Sequence, residues 1–261
     1  MGISPFIAEG LAQLAADGHF KDSRSLLEFG PQTVVAMKDH TYYFDLARRV
    51  GGPQAAQDFA GVAHDGKAFR PDAQKALYRL FGIEEYASVD LLDPTATYNH
   101  NLNDPLVLDR QFDIVTDFGT GEHVFNIGQN FVNAHNALKV GGLWLAQWPT
   151  LGGYHHGFYN IHNIWYRSLA KFSGYELVML LHSSDVVVTA MACERQKRLV
   201  KAQDIRTREP RRMSMSFYLA DVLATLSRGE RVSAVILAAL RKTKDGPLVW
   251  PQQVNKYAKP R

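Results

Sequence analysis

Only one cysteine, Cys193, occurs in the 261-residue chain. An intrachain disulfide framework is therefore excluded, and the composition suits a reducing compartment. No run of about 18 apolar residues exists, which argues against a membrane-spanning helix. The opening MGISPFIAEGLAQLAADGHF has neither a basic start nor a long apolar core, so it lacks the form of a secretory signal. A cytoplasmic location without membrane contact is the expectation. Several chemical signatures are missing as well. There is no G-x-G-x-x-G for a dinucleotide, no H-E-x-x-H for zinc, and no G-x-S-x-G elbow for a nucleophilic serine. Internal repeats and low-complexity tracts are absent too.

What is present describes a globular protein. Hydrophobic residues make up 46% and charged residues 21%, enough apolar material for a full core. The length fits one large α/β domain or two small ones. Net charge is only +3, but residues 195–261 carry 16 Lys/Arg against 5 Asp/Glu (+11), and residues 1–194 carry 13 against 21 (−8). A basic tail on an acidic body suggests nucleic acid or an acidic partner. The simpler reading packs the tail on the acidic body of its own or a neighbouring chain, because its basic residues are spread over a patterned helix.

Periodicity predicts helices over 5–20, 39–50, 53–62 and 71–81, with Pro53 and Pro71 at positions where a helix start tolerates proline. Strands are predicted at 23–30, 86–92, 112–118, 142–149, 175–181 and 186–192, the last two as an antiparallel pair. A helix at 161–173 and a long helical region near 216–242 complete the pattern. The apolar residues Val232, Val235, Ile236 and Leu240 are read as one helical face, either core cover or a homo-oligomer interface, with a homo-oligomer expected. Strands alternating with helices predict a mostly parallel sheet covered on both faces.

The stretch FDIVTDFGTGEHVFN, residues 112–126, reads as strand, sharp turn, helix. In open α/β sheets ligands bind at the carboxyl ends of strands, so Asp117, Thr120, Glu122 and His123 should crowd that edge. The plain alternative is a capping Thr120 and a surface His123. The first strand ends in Glu28-Phe29-Gly30-Pro31-Gln32, where glycine permits close approach of a ligand to the backbone. Pro31 removes an N–H that a phosphate cradle would use. An adenosine ligand without a pyrophosphate fits better, favouring S-adenosylmethionine over NAD. Asp90 ends the second strand, where a carboxylate can accept from two ribose hydroxyls; alone, it also reads as an ordinary loop-start residue. Histidines gather where a substrate should lie: His123, then His155, His156 and His162, among Trp148, Tyr154, Phe158, Tyr159 and Trp165. Glu122, His123, His155 and His156 could also supply metal ligands, but no tight ligand spacing is present and no metal is expected.

Taken together, LLEFGPQ, SVD, HNLNDP, FDIVTDFGTGEHVFN and GGLWLAQWP resemble, in order, the motifs of class I S-adenosylmethionine-dependent methyltransferases over roughly residues 20–195. The resemblance implies a seven-stranded Rossmann-like sheet with helices on both faces and the last strand antiparallel. It also implies S-adenosylmethionine as cofactor. Glu28 and Gly30 match the first motif, with Gln32 where many relatives have glycine. Asp90 matches the ribose-binding acid. Asn101 and Leu102 match the adenine segment, with asparagine in place of the common aspartate. Asp117 and Phe118 match the motif bordering the methyl group. On this reading residues 1–195 form the methyltransferase domain, with a helical insertion at 33–85, and residues 196–261 a basic helical extension. The expected activity is methyl transfer to oxygen or nitrogen of a small molecule. His123 or His156 would be base or substrate anchor, and Glu122, Tyr154, His155, Tyr159 and His162 would line the acceptor site. The alternatives are a catalytically silent scaffold of the same fold, or a nucleic-acid methyltransferase using the basic tail.

Overall fold

The computed structural model describes residues 2–35, 41–64, 69–152, 156–184 and 234–251. Apolar helices and strands arrange themselves in three layers. Helix α1 (Pro5–Ala16) starts where Ser4 accepts from the Ile7 N–H, and Pro5 occupies a first-turn position. Strand β1 (Gly2–Ile3) precedes it and pairs in parallel with β3 (Thr33–Val34), a two-residue ribbon too short to leave a sequence pattern. Between them in the chain comes β2 (Ser25–Phe29), which belongs to the larger sheet. Helix α2 (Thr41–Ala63) carries a break at Gly52, whose φ of 82° is left-handed, directly before Pro53. The two helices predicted there are therefore present, joined at a kink. Helix α3 (Ala73–Arg79) follows.

The remaining elements are β4 (Glu85–Asp90), β5 (Tyr98–Asn99), β6 (Phe112–Phe118), a 3-10 turn at Gly121–His123, α4 (Ile127–Ala137), β7 (Leu138–Leu151), α5 (Asn163–Phe172), β8 (Tyr175–Ser184) and β9 (Ala234–Lys242). Seven strands form one sheet in the order β5-β4-β2-β6-β7-β9-β8. β9 alone runs against the direction of the other six strands, with its Ile236 opposite Trp148 of β7 and its Leu237 opposite Leu181 of β8. This is a Rossmann-like sheet with its last strand reversed.

Side chains alternate between two cores, as the pleat requires. Leu26, Ile114, Phe118, Leu143, Leu145, Leu237 and Ala239 face α1, α2 and α3. Leu27, Phe29, Val115, Trp144, Trp148, Ile236 and Leu240 face α4 and α5. Packing is close. A Cβ on Gly10 of α1 would stand 2.4 Å from Leu237 Cδ2, so the helix lies almost against β9.

One expectation is overturned here. Residues 234–242, read as the end of a C-terminal helix, form β9, inserted between β7 and β8. Ile236 and Leu240 are fully buried in the sheet and so form no oligomer face. The run AVILAALRK is apolar on both sides because β9 is covered on both sides, and such a run carries no period that separates strand from helix. The sheet therefore takes its seventh strand from the region assigned to a helical extension. The partner predicted for β8, residues 186–192, lies outside the described residues, as do the rest of the predicted helix before 234 and most of the basic tail; β8 pairs with β9 instead. Among the described residues no helix is long and apolar enough to cross a membrane.

Candidate active site

The carboxyl ends of β2, β4, β6 and β7 meet along one edge of the sheet. Gly30 N–H donates to the Val89 carbonyl (2.8 Å) and His100 N–H to the Asp90 carbonyl (3.0 Å), so the first two strand tips and the asparagine-rich loop adjoin.

The first-motif residues chiefly bind one another. Glu28 is fully buried, and its carboxylate accepts from Tyr78 Oη, Tyr86 Oη and the Gln32 N–H (3.0 Å). Burial pushes its pKa up, against those three donors. Glu28 thus ties α3 and β4 to the turn after β2. Gly30 is left-handed (φ 69°), and a Cβ there would sit 2.3 Å from Thr120 Oγ1. That hydroxyl donates to the Phe29 carbonyl at 2.7 Å. The close approach that this glycine allows is made by Thr120. Gln32 is buried, donating from Nε2 to the Gly30 carbonyl (2.7 Å).

Asp90 is half-buried at the tip of β4. Its Oδ1 accepts from the Leu92 and Asp93 N–H groups (2.7 and 2.9 Å), while Oδ2 has no hydrogen bond among the described residues. Asn101 Oδ1 accepts from Asn103, and Leu102 is buried beneath the loop with its carbonyl accepting from Asn133 Nδ2 (3.1 Å).

Asp117 is the keystone of the turn after β6. Fully buried, it accepts at Oδ1 from the Thr120 and Gly121 N–H groups (3.1 and 2.8 Å) and Trp148 Nε1 (3.1 Å), and at Oδ2 from Asn130 Nδ2 (2.9 Å). Burial raises its pKa, opposed by those donors. Gly121 is required: a Cβ would stand 2.6 Å from both Asp117 Oδ2 and Asn130 Nδ2. Phe118 is wholly buried on the α1–α3 side and packs in that core rather than lining the edge.

Past this turn three chemically active side chains converge. Glu122 is fully buried, and neither carboxylate oxygen has a hydrogen-bond partner among the described residues. Burial, and then the neighbouring Asp117 charge, push its pKa up to about 8. His156 Nε2 lies 3.7 Å from Glu122 Oε1, beyond hydrogen-bond range. The rings of His123 and His156 meet edge to face with centroids 4.8 Å apart. Burial lowers the His123 pKa, helped by His156, so its neutral form is favoured. One ligand atom from each of Glu122, His123 and His156 falls within 4.8 Å of the others. The segment carrying His156 is pressed on Glu122: Phe158 N–H donates to the Glu122 carbonyl (2.7 Å), and a Cβ on Gly157 would stand 2.9 Å from Glu122 Cγ.

The other predicted acceptor residues divide. Tyr159 Oη donates to the Phe125 carbonyl (2.7 Å), bracing the rim, and His162 is exposed at the cap of α5, apart from the trio. Tyr154 and His155 lie outside the described residues. Trp148 is core, not pocket wall, with its indole committed to Asp117. At the surface Phe125 and Phe158 form an exposed edge-to-face pair, centroids 5.4 Å apart. Two residues went unpredicted. Asn130 Oδ1 and Tyr166 Oη are buried without partners among the described residues. The signal for Asn130 was available: it is polar on the apolar stripe of α4, one residue before Phe131.

No family model matches the sequence, and no curated protein matches it. Among solved structures, the chain is similar to a protein from Galdieria sulphuraria provisionally named a sarcosine dimethylglycine methyltransferase, with 16% identity and a TM-score of 0.47 over 90% of this chain and 85% of that one. It is similar to an S-adenosylmethionine-dependent methyltransferase from Thiobacillus denitrificans, in complex with S-adenosyl-L-homocysteine, at 14% identity and a TM-score of 0.42, covering 91% and 92% of the chains. A third, from Geobacter sulfurreducens and bound to the same ligand, gives 13% and 0.40, covering 92% of each chain.

Proposed function

We propose that this chain is an S-adenosylmethionine-dependent methyltransferase acting on oxygen or nitrogen of a small-molecule acceptor. The observation that carries the reading is the sheet itself: seven strands, with the reversed β9 slotted between β7 and β8. That is the arrangement the motif resemblance implies. The cofactor would lie across the tips of β2 and β4, its ribose toward Asp90 Oδ2 and its adenine against Asn101 and Leu102. Glu28, Gln32, Asp117 and Phe118 would shape the cleft from behind, since their polar groups or rings are committed internally.

Methyl transfer asks mainly for alignment. The cofactor would supply an activated methyl group on a good sulfur leaving group, and the protein's part would be to hold the acceptor lone pair in line with it. The acceptor's proton needs a destination. His123 and His156 stand together beyond the β6 tip as base or acceptor anchor, and the lowered pKa of His123 keeps it able to accept a proton at neutral pH.

One observation favours a second reading. Thr120 covers Gly30, as would suit a member of the fold that acts as a binding or scaffold subunit. Calorimetric titration with S-adenosylhomocysteine separates the two. A dissociation constant in the micromolar range, with a melting temperature raised by the ligand, supports the methyltransferase; heat indistinguishable from dilution at millimolar ligand sinks it. Asp90→Ala should weaken that binding at least about tenfold, from the loss of charge-assisted ribose hydrogen bonds.

A further inference from the structure

We propose that Glu122, His123 and His156 form a binding site for a divalent first-row transition metal ion. Two imidazoles and one carboxylate are a donor set suited to zinc, iron(II), manganese and cobalt. Here one ligand atom of each lies within 4.8 Å of the others. An independent observation points the same way. The Glu122 side chain is fully buried with both oxygens unpartnered among the described residues, although it faces an exposed histidine 3.7 Å away. Ionised, a carboxylate so placed would cost several kcal/mol, so it stays protonated unless a cation answers it. A metal ion answers it with two imidazoles supplied from the solvent side.

The backbone holds this arrangement. Asp117 fixes the Thr120–Gly121 turn that presents Glu122 and His123 in succession. The Phe158-to-Glu122 backbone bond and the bare Gly157 bring His156 over from a segment 34 residues away in sequence. An ion about 2.0–2.2 Å from each ligand would draw these atoms closer than their present 4.8 Å, and His123 and His156 are both exposed. Three protein ligands leave further positions open, the mark of a catalytic rather than a structural site. The metal site stands apart from methyl transfer; the use of its open positions rests on the reading above. An acceptor oxygen bound there would lose its proton to bulk water more readily and face the methyl group as a metal-held nucleophile. The class of acceptor then narrows to molecules with a metal-binding hydroxyl or carboxylate. The two histidines act as anchors through the ion.

The test uses the full chain freed of metal by chelator, titrated with Zn²⁺ by calorimetry and with Co²⁺ by visible absorption. One equivalent of Zn²⁺ should bind with a dissociation constant below about 1 µM, and Co²⁺ should give ligand-field bands that change on adding a carboxylate ligand to its open positions. Glu122→Gln, which keeps shape and loses charge, and the exposed pair His123→Ala/His156→Ala should each weaken Zn²⁺ binding at least about 100-fold. Unchanged affinity in the histidine double variant, or no binding at about 100 µM Zn²⁺, overturns the site. S-adenosylhomocysteine titrated into the same samples keeps the two readings apart. Cofactor binding without metal binding removes the metal site alone, and metal binding without cofactor binding removes methyl transfer alone.

Discussion

At the scale of single residues, buried or half-buried carboxylates organise this molecule, and each has a different solution to its desolvation. Glu28 is answered by two tyrosines and a backbone N–H, Asp117 by four donors, and Glu122 by none among the described residues. Asp113, on β6, takes a fourth course. Burial would raise its pKa, but Lys139 at 2.7 Å and donors from Arg24 and Ser25 outweigh burial and hold it at about 2, below the ordinary 3.8. Its ionised form is thus favoured by folding. The stabilisation is complete above pH 3.8 and is lost as pH falls through about 2. Asp113→Asn should destabilise the protein by about 1 kcal/mol at neutral pH, since water screens this partly exposed site, and the gap to the parent should close between pH 4 and 2. Urea titrations across that range measure it; a gap independent of pH would mean that geometry, not charge, carries the interaction.

At the scale of elements, the sharpest junction is where α4 hands over to β7. Lys242, almost wholly buried at the end of β9, donates from Nζ to the His135 and Leu138 carbonyls, each at 2.9 Å. A cation at a helix C-terminus is favoured by the exposed carbonyls and the dipole there. Lys242→Met preserves the stem but leaves two buried carbonyls unanswered, and about 1–3 kcal/mol should be lost, read as a lower urea midpoint with an unchanged slope. Much of this scale was legible in the sequence. Helix α1, strands β2, β4, β6 and β7 and helix α5 all have their own period or flanking glycine and proline. What was not legible had physical causes. β1, β3 and β5 are two residues each, held by neighbours rather than by pattern. β9 is apolar on both faces, so nothing in its period told strand from helix. In the site, the cluster of histidines was visible in the sequence, but its alignment with Glu122 was not, because one backbone bond across 36 residues, Phe158 to Glu122, creates it. Nor could the sequence say that Thr120 would occupy the space beside Gly30, since that contact joins turns 90 residues apart.

At the scale of the whole molecule, β9 is the last described strand in the chain and lies inside the sheet, not at its rim. Ending the chain at residue 233 would strip both β7 and β8 of a partner and expose the faces that Ile236, Leu237, Ala238 and Leu240 now cover. Such exposed edges pair with other chains. The shortened protein should therefore partition into the insoluble fraction, and a soluble monomer with native circular dichroism would contradict the placement of β9.

The same placement has a bearing on synthesis. β8 ends at residue 184 and β9 at residue 242, so 58 further residues must be made before the sheet can close. At about 5–20 residues per second, the nascent chain waits roughly 3–12 s with the edge of β7 unpaired. The time available for a foreign strand to dock there is set by the ribosome rather than by the stability of the finished fold. Synonymous codons that slow translation across residues 185–233 should lower the yield of soluble protein without changing a single side chain.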